Sequence, residues 1–181
     1  MIDRRTFLAI AAGALLWPTA RSLADSHGGD AGAPASDLDA KLRDALETSG
    51  FVYVSPLRSD GAESTCHGEV WFAFLDGAAV LNTVATTWKA RAVARGLDRA
   101  RVWVGDHGRW KTMLGRDEAF RAAPSFDARA ELVKDAAVLD RLLAVYEKKY
   151  PAEIASWRDK MRAGFHDGSR VLIRYTPAAR A

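Results

Sequence analysis

The chain has 181 residues, of which 49% are apolar and 27% charged, with a formal net charge of +3. That length suits one domain plus a processed leader, and so small a positive excess, with Lys and Arg interspersed among Asp and Glu, excludes a nucleic-acid-binding surface. A single cysteine, Cys66, excludes an intramolecular disulfide and a thiolate zinc site.

Residues 1–24, MIDRRTFLAIAAGALLWPTARSLA, place Arg4 and Arg5 before an apolar run from Phe7 to Trp17 and a Ser-Leu-Ala end. A membrane span needs about 20 apolar residues, so the segment reads as a cleavable signal with a cut after Ala24, not as a stable membrane anchor. DRRTFLA resembles the twin-arginine signal of a bacterial route that exports folded proteins. It implies contact with that export machinery and a periplasmic or otherwise exported mature chain. It also raises the expectation of a cofactor, because a protein that crosses folded can take one on beforehand. Residues 25–36, DSHGGDAGAPAS, have no apolar period and read as a flexible tether. A folded domain is expected over 37–178.

Within it, Ser36 or Asp37 is placed to cap a helix carrying Leu38, Leu42, Ala45 and Leu46, ended by Gly50. FVYVSPL predicts a strand and SDG a turn. ESTCHGEVWFAFL predicts a long second strand, bent near Cys66-His67-Gly68 because a strand glycine often marks a bulge. A DG turn leads into AAVLNTV, a third strand. A basic helix follows from about Thr87 to Arg95, closed by Gly96. RARVWVGD and SFDARAELVKD predict two more strands. Asp135 caps a helix with Val138, Leu139, Leu142, Leu143 and Tyr146 on one face, Pro151 starts another, and SRVLIRYTP is a last strand. Six strands with short helices predict a mainly β, α+β fold: a small closed or partly open barrel with peripheral helices.

The join at LNTVATTWKARAVARG is the main chemical candidate. The first amides of a helix lack partners and suit a phosphate; Thr86 and Thr87 add hydroxyls, and Lys89 and Arg91 add charge. The alternative is a solvated basic face. No Gly-rich loop precedes the helix, so neither a P-loop nor a dinucleotide fingerprint applies. His67 is a candidate metal or haem ligand, a proton carrier or a structural residue, with His107 the other histidine a haem would call on, and no other metal site is expected, since no His-x-x-x-His or carboxylate cluster appears. The absence of G-x-S-x-G leaves a serine hydrolase unsupported. Trp71, Trp88, Trp103 and Trp110 either line an aromatic pocket or fill the core.

In order and spacing, the run from YVSPLRSDGAESTCHGEVWFAFLDGAAVLNTVATTWKARAVARG through RARVWVGD, with ARAELVKDAAVLDRLLAVYEKKYP and RVLIRYTP behind it, resembles the pyridoxamine 5'-phosphate oxidase-like family. The resemblance spans about residues 38–177. It implies an FMN-binding type split β-barrel, a homodimer, and FMN or the deazaflavin F420 at the subunit interface. It further implies an oxidoreductase acting on a small molecule, with a non-enzymatic haem- or ligand-binding barrel as the alternative. Carried onto this chain, Thr83, Lys89 and Arg91 become the phosphate candidates, joining the Thr87 hydroxyl read from the helix start, and Val70 and Trp71 become the candidates for the ring edge. Trp88 is expected to anchor the helix. Many members have a basic residue near the start of the second strand, where this chain has Cys66-His67-Gly68-Glu69, so either the Glu69 side chain points away from the phosphate or the ligand differs. Export sets the chain apart from true pyridoxamine-phosphate oxidase activity, whose substrate is cytoplasmic.

Overall fold

The computed structural model describes residues 38–65, 67–107 and 118–178. The signal, the tether, Cys66 and Trp110 lie outside the described residues. Helix α1 spans Ala40–Thr48 and is capped by Asp39, whose carboxylate accepts the Lys41 amide at 2.7 Å. The cap therefore lies two residues beyond the expected Asp37, and Leu42 and Leu46 are the buried stripe. Strand β1 (Phe51–Pro56) follows, then β2 (Gly68–Trp71), β3 (Ala73–Leu75) and β4 (Ala78–Val84). Asp76 and Gly77, both at positive φ (52° and 77°), form the two-residue turn between β3 and β4, as a hairpin of this hand requires. Helix α2 is Trp88–Ala94 and β5 is Arg99–Val104; a 3-10 turn at Ala119–Ala122 precedes β6 (Ser125–Val133). Helices α3 (Ala136–Lys149) and α4 (Pro151–Asp167) lead to β7 (Arg170–Pro177). The Asp135 cap and all five expected apolar positions of α3 are as predicted. Among the described residues no helix is long and apolar enough to cross a membrane.

The strands form one antiparallel sheet in the order β2-β1-β5-β6-β7-β4-β3. Only Phe72 separates β2 from β3, so one bent strand reaches from β1 at one end of the order to β4 at the other. That strand makes the sheet a nearly closed barrel. The expected long second strand is thus two strands, seven in all, and it bends at Phe72 rather than at Cys66-His67-Gly68.

Alternation sorts the side chains. Val52, Val54, Phe72, Ala79, Leu81, Val102, Ala128, Ala130, Ile173 and Tyr175 fill the interior together with Leu42 and Leu46 of α1 and Ala90 of α2. Tyr175 sits in register between Ala79 and Ala130, two small residues that leave room for its ring. The opposite face of β3, β4 and β7 carries Ala73, Leu75, Val80 and Leu172 and packs on α3 and α4 through Leu139, Leu142, Leu143 and Tyr146. Side chains fill the interior, which leaves no room there for a flat ligand.

At Phe72 the strand changes partners, and its backbone is satisfied by side chains from the end of α3. Tyr146 Oη donates to the Trp71 carbonyl at 2.8 Å, and Lys149 Nζ donates to the Phe72 carbonyl at 3.3 Å. The Phe72 amide donates to Tyr150 Oη at 3.3 Å, while that hydroxyl donates to the Gly50 carbonyl. Positions 146, 149 and 150 are i, i+3 and i+4, so they share one helix face. These three polar heads replace a missing ladder, since buried backbone groups are costly when unpaired.

Lys149 also lies 3.7 Å from the Phe72 ring centroid, and burial lowers its pKa from the ordinary 10.5 to about 8. An unfolded chain holds this proton up to about pH 10.5, whereas the folded chain releases it near 8. Stability should therefore rise with pH through that window, by about 1–2 kcal/mol once residual solvent screening is allowed for. Burial pushes the pKa values of Tyr146, Tyr150 and Tyr175 up, which opposes the gain above about pH 10. Urea denaturation between pH 7.5 and 9.5 should show the rise in the wild type and a flat profile in Lys149→Met; parallel profiles would refute this assignment.

Candidate functional site

The end of β4 and the start of α2 bring three predicted residues into one corner. Thr83 is buried on the interior side of β4, and its hydroxyl lies 3.4 Å from that of Thr87. Thr87 is the residue before α2, yet its hydroxyl donates back to the Val84 carbonyl at 2.9 Å and makes no cap bond to the helix. Helix α2 has only seven residues, so its dipole is small and the two hydroxyls matter more than the expected helix-end field.

Lys89 reaches from α2 toward β2. A Cβ added to Gly68 would lie 3.2 Å from Lys89 Nζ and 3.5 Å from its Cε. The glycine in the second strand therefore makes room for an ammonium rather than forming the expected bulge. Gly68→Ala should push the flexible lysine end aside without unfolding the barrel, lowering the melting temperature by less than about 3 °C. The same change should weaken any anion held in the corner by about threefold or more, as for a disturbed charged hydrogen bond; thermal melts and ligand titration read the two effects separately.

The other predicted positions are more dispersed. Arg91 is exposed, and its side chain has no hydrogen bond or ion pair to a described residue. The Val70 side chain packs into the barrel core. Trp71 faces the other way, stacked on Tyr150 at 4.4 Å and 8° and edge-on to Tyr146 at 5.9 Å. Both ring-edge candidates therefore spend their side chains on packing. What β2 still offers is backbone: it ends the sheet order, so one of its edges lacks a strand partner among the described residues. Trp88 is half-buried, with its indole N–H buried and unpaired.

Glu69 turns away. Its carboxylate accepts a 2.6 Å hydrogen bond from Tyr53 Oη, on the face opposite Val70. Tyr53 also accepts the His107 amide at 2.9 Å and stacks on Phe120 at 4.9 Å and 7°. Trp103 packs edge-on to Phe120, so Trp71 and Trp103 belong to separate clusters and line no common pocket. His67 lies 5.2 Å from the Phe120 ring and 3.6 Å from Glu118, with Nδ1 buried and unpaired. Among the described residues no three His, Cys, Asp or Glu side chains converge on a point that would hold a metal.

Two contributors escaped the sequence reading. Gly68 looked like a bulge because its neighbour Lys89 comes from another element. The Tyr146, Lys149 and Tyr150 heads were legible as one helix face, but nothing local says that this face meets an unpaired strand.

No protein-family model matches the chain, and no curated protein matches it. Solved structures do. The conserved hypothetical protein Rv2991 from Mycobacterium tuberculosis superposes with a TM-score of 0.53 at 22% identity, covering 79% of this chain and 81% of that one. HutZ, the heme storage protein from Vibrio cholerae, gives 0.53 at 12% identity, covering 79% of this chain and 92% of its own. Campylobacter jejuni ChuZ gives 0.51 at 12% identity, covering 75% of this chain and 51% of its own.

The fold is a split β-barrel. It is the architecture that the resemblance to pyridoxamine 5'-phosphate oxidase-like proteins implied. In this split barrel the Thr83–Thr87 pair stands where β4 gives way to α2, and Lys89 of that helix reaches Gly68 of β2. A phosphate-sized anion fits that corner chemically, since it supplies two hydroxyls and an ammonium.

Proposed function

We propose that this chain is an exported, homodimeric split-barrel flavoprotein that binds FMN and transfers hydride or electrons to or from a small molecule. The observation that carries the reading is the corner itself. The Thr83 and Thr87 hydroxyls lie 3.4 Å apart at the join of β4 and α2, and two residues along the same helix Lys89 extends an ammonium to Gly68 of β2. Lys89 neutralises a bound phosphate, and the two hydroxyls orient it. The unpaired edge of β2 offers backbone donors and acceptors to the polar rim of a flat ring. A packed interior keeps that ring on the outside, where a second copy of the chain can cover it. FMN supplies the redox chemistry when bound, and the chain supplies position and electrostatics.

Purification of the full chain from the cytoplasm, before export, should give a visible flavin band, or one restored by added FMN in gel-filtered dimer. A colourless protein that stays colourless with FMN would sink the reading. Mass spectrometry of the released ligand separates FMN from F420, which presents the same phosphate and tricyclic ring. The second reading is haem binding. It is favoured by the buried, unpaired Nδ1 of His67 and by the likeness to HutZ, a heme storage protein. A Soret band that is lost in His67→Ala, with no flavin present, would select it.

A further inference from the structure

Arg170, at the start of β7, is a half-buried guanidinium that no local charge explains. Its strand neighbour Arg174 pairs with Glu131 at 2.7 Å, and Arg162 on α4 pairs with Asp140 at 2.6 Å. Among the described residues no carboxylate lies within ion-pair distance of Arg170. Instead Nε donates to Asn82 Oδ1 and Nη2 approaches the Asn82 carbonyl at 3.5 Å. A partly desolvated charge without a counter-ion is costly, and burial accordingly lowers this guanidinium's pKa.

The side chain is also held in place on purpose-shaped ground. Gly164 lies inside the 17-residue helix α4, where glycine costs roughly 1 kcal/mol relative to alanine. A Cβ there would meet Arg170 Cγ at 2.6 Å and Cδ at 2.7 Å, so the glycine is the notch that seats the arginine stem. One helical face further along, the Trp157 indole is 42% exposed. Arg170 Cζ lies 5.9 Å from its ring centroid and Lys160 Nζ 5.2 Å, and Lys160 likewise has no described carboxylate within reach. Across the β4–β7 rung, Val84 faces Arg170 and is 41% exposed. Close by, the Asp167 carboxylate is engaged by the Ser169 amide at 2.8 Å.

We propose that Arg170, Lys160 and Trp157 form a binding site for a small oxyanion carried on a flat ring, such as an aryl carboxylate or aryl phosphate. The guanidinium pairs with the anion through its planar fork, while the exposed indole and Val84 take the ring. The site uses neither Thr83, Thr87 nor Lys89, and Val84 contributes only its side chain, so it stands whether or not the chain binds FMN.

The test is NMR titration of the full mature chain, following the Trp157 indole N–H and the Arg170 Nε–H, with three probes. Benzoate carries both ring and anion, inorganic phosphate the anion alone, and benzyl alcohol the ring alone. Benzoate should shift both signals saturably with a Kd at or below about 1 mM, phosphate more weakly, and benzyl alcohol without saturation below about 10 mM. Arg170→Gln should weaken benzoate by about tenfold or more, as for a lost charged hydrogen bond. Trp157→Ala and Lys160→Gln alter exposed side chains and keep the fold; each should weaken benzoate by about threefold, whereas Lys89→Ala should not change it. Absence of a saturable shift with benzoate, or a benzoate affinity untouched by Trp157→Ala, Lys160→Gln and Arg170→Gln alike, overturns the proposal.

Discussion

Lys89→Ala is expected to weaken FMN binding by about ten- to a hundredfold, the fold-change of a lost charged hydrogen bond of about 1.5–3 kcal/mol. The lysine is set against β2 at Gly68, and it follows by two residues the Thr87 hydroxyl that approaches Thr83 at 3.4 Å. Arg91 is the control. It is exposed, its field is screened by solvent and salt, and Arg91→Ala should cost less than about threefold. Thr83→Val, which keeps the buried volume and removes one hydroxyl, should fall between the two. Fluorescence quenching of added FMN measures all three at fixed ionic strength. If Arg91→Ala costs as much as Lys89→Ala, the anion sits on the exposed face of α2, and the corner described here is not its site.

Tyr150→Ala should be the most destabilising single change outside the barrel interior, by about 3–5 kcal/mol, as for other buried aromatic truncations. Its ring is stacked on Trp71 at 4.4 Å and packed edge-on to Tyr146 at 5.2 Å. Its hydroxyl joins Gly50, where β1 begins, to Phe72, where the bent strand changes partners. Tyr150→Phe isolates the second role: it keeps both ring contacts and strands the Phe72 amide, and should cost about 1–3 kcal/mol. Hydrogen exchange should then accelerate at Phe72 more than at Val80 in the neighbouring strand. Lys149→Met, on the same helix face, removes the donor to the Phe72 carbonyl but also an ammonium disfavoured by burial, so at pH 7 it should cost less than Tyr150→Phe. A Tyr150→Phe protein as stable as the wild type would show that the seam is held by packing alone.

The seam also shows where sequence reading reaches its limit. Val70, Phe72 and Phe74 face the interior and Trp71, Ala73 and Leu75 face outward, so the period of two runs unbroken through the bend. A strand that trades one partner for another keeps its alternation. No local signal therefore marks Phe72, and the glycine at 68 drew the expectation of a bend to the wrong place. The predicted corner fared similarly. The structure brings Thr83 and Thr87 together and sends Lys89 to Gly68, while Arg91 lies on the open face of a two-turn helix.

Read alone, the sequence determined the kinds and order of the elements. Asp135 and the apolar stripe from Val138 to Tyr146 specify α3, Asp76-Gly77 specifies a tight hairpin, and AAVLNTV specifies β4 to the residue, because caps, turn conformations and burial periods act over a few residues. The tertiary structure alone decided which distant groups meet: Tyr150 with Phe72 across 78 positions, Arg170 with Asn82 across 88, and Lys89 with Gly68. Those meetings depend on how the sheet closes, and closure is fixed by the packing of the whole barrel, which no short stretch of sequence encodes.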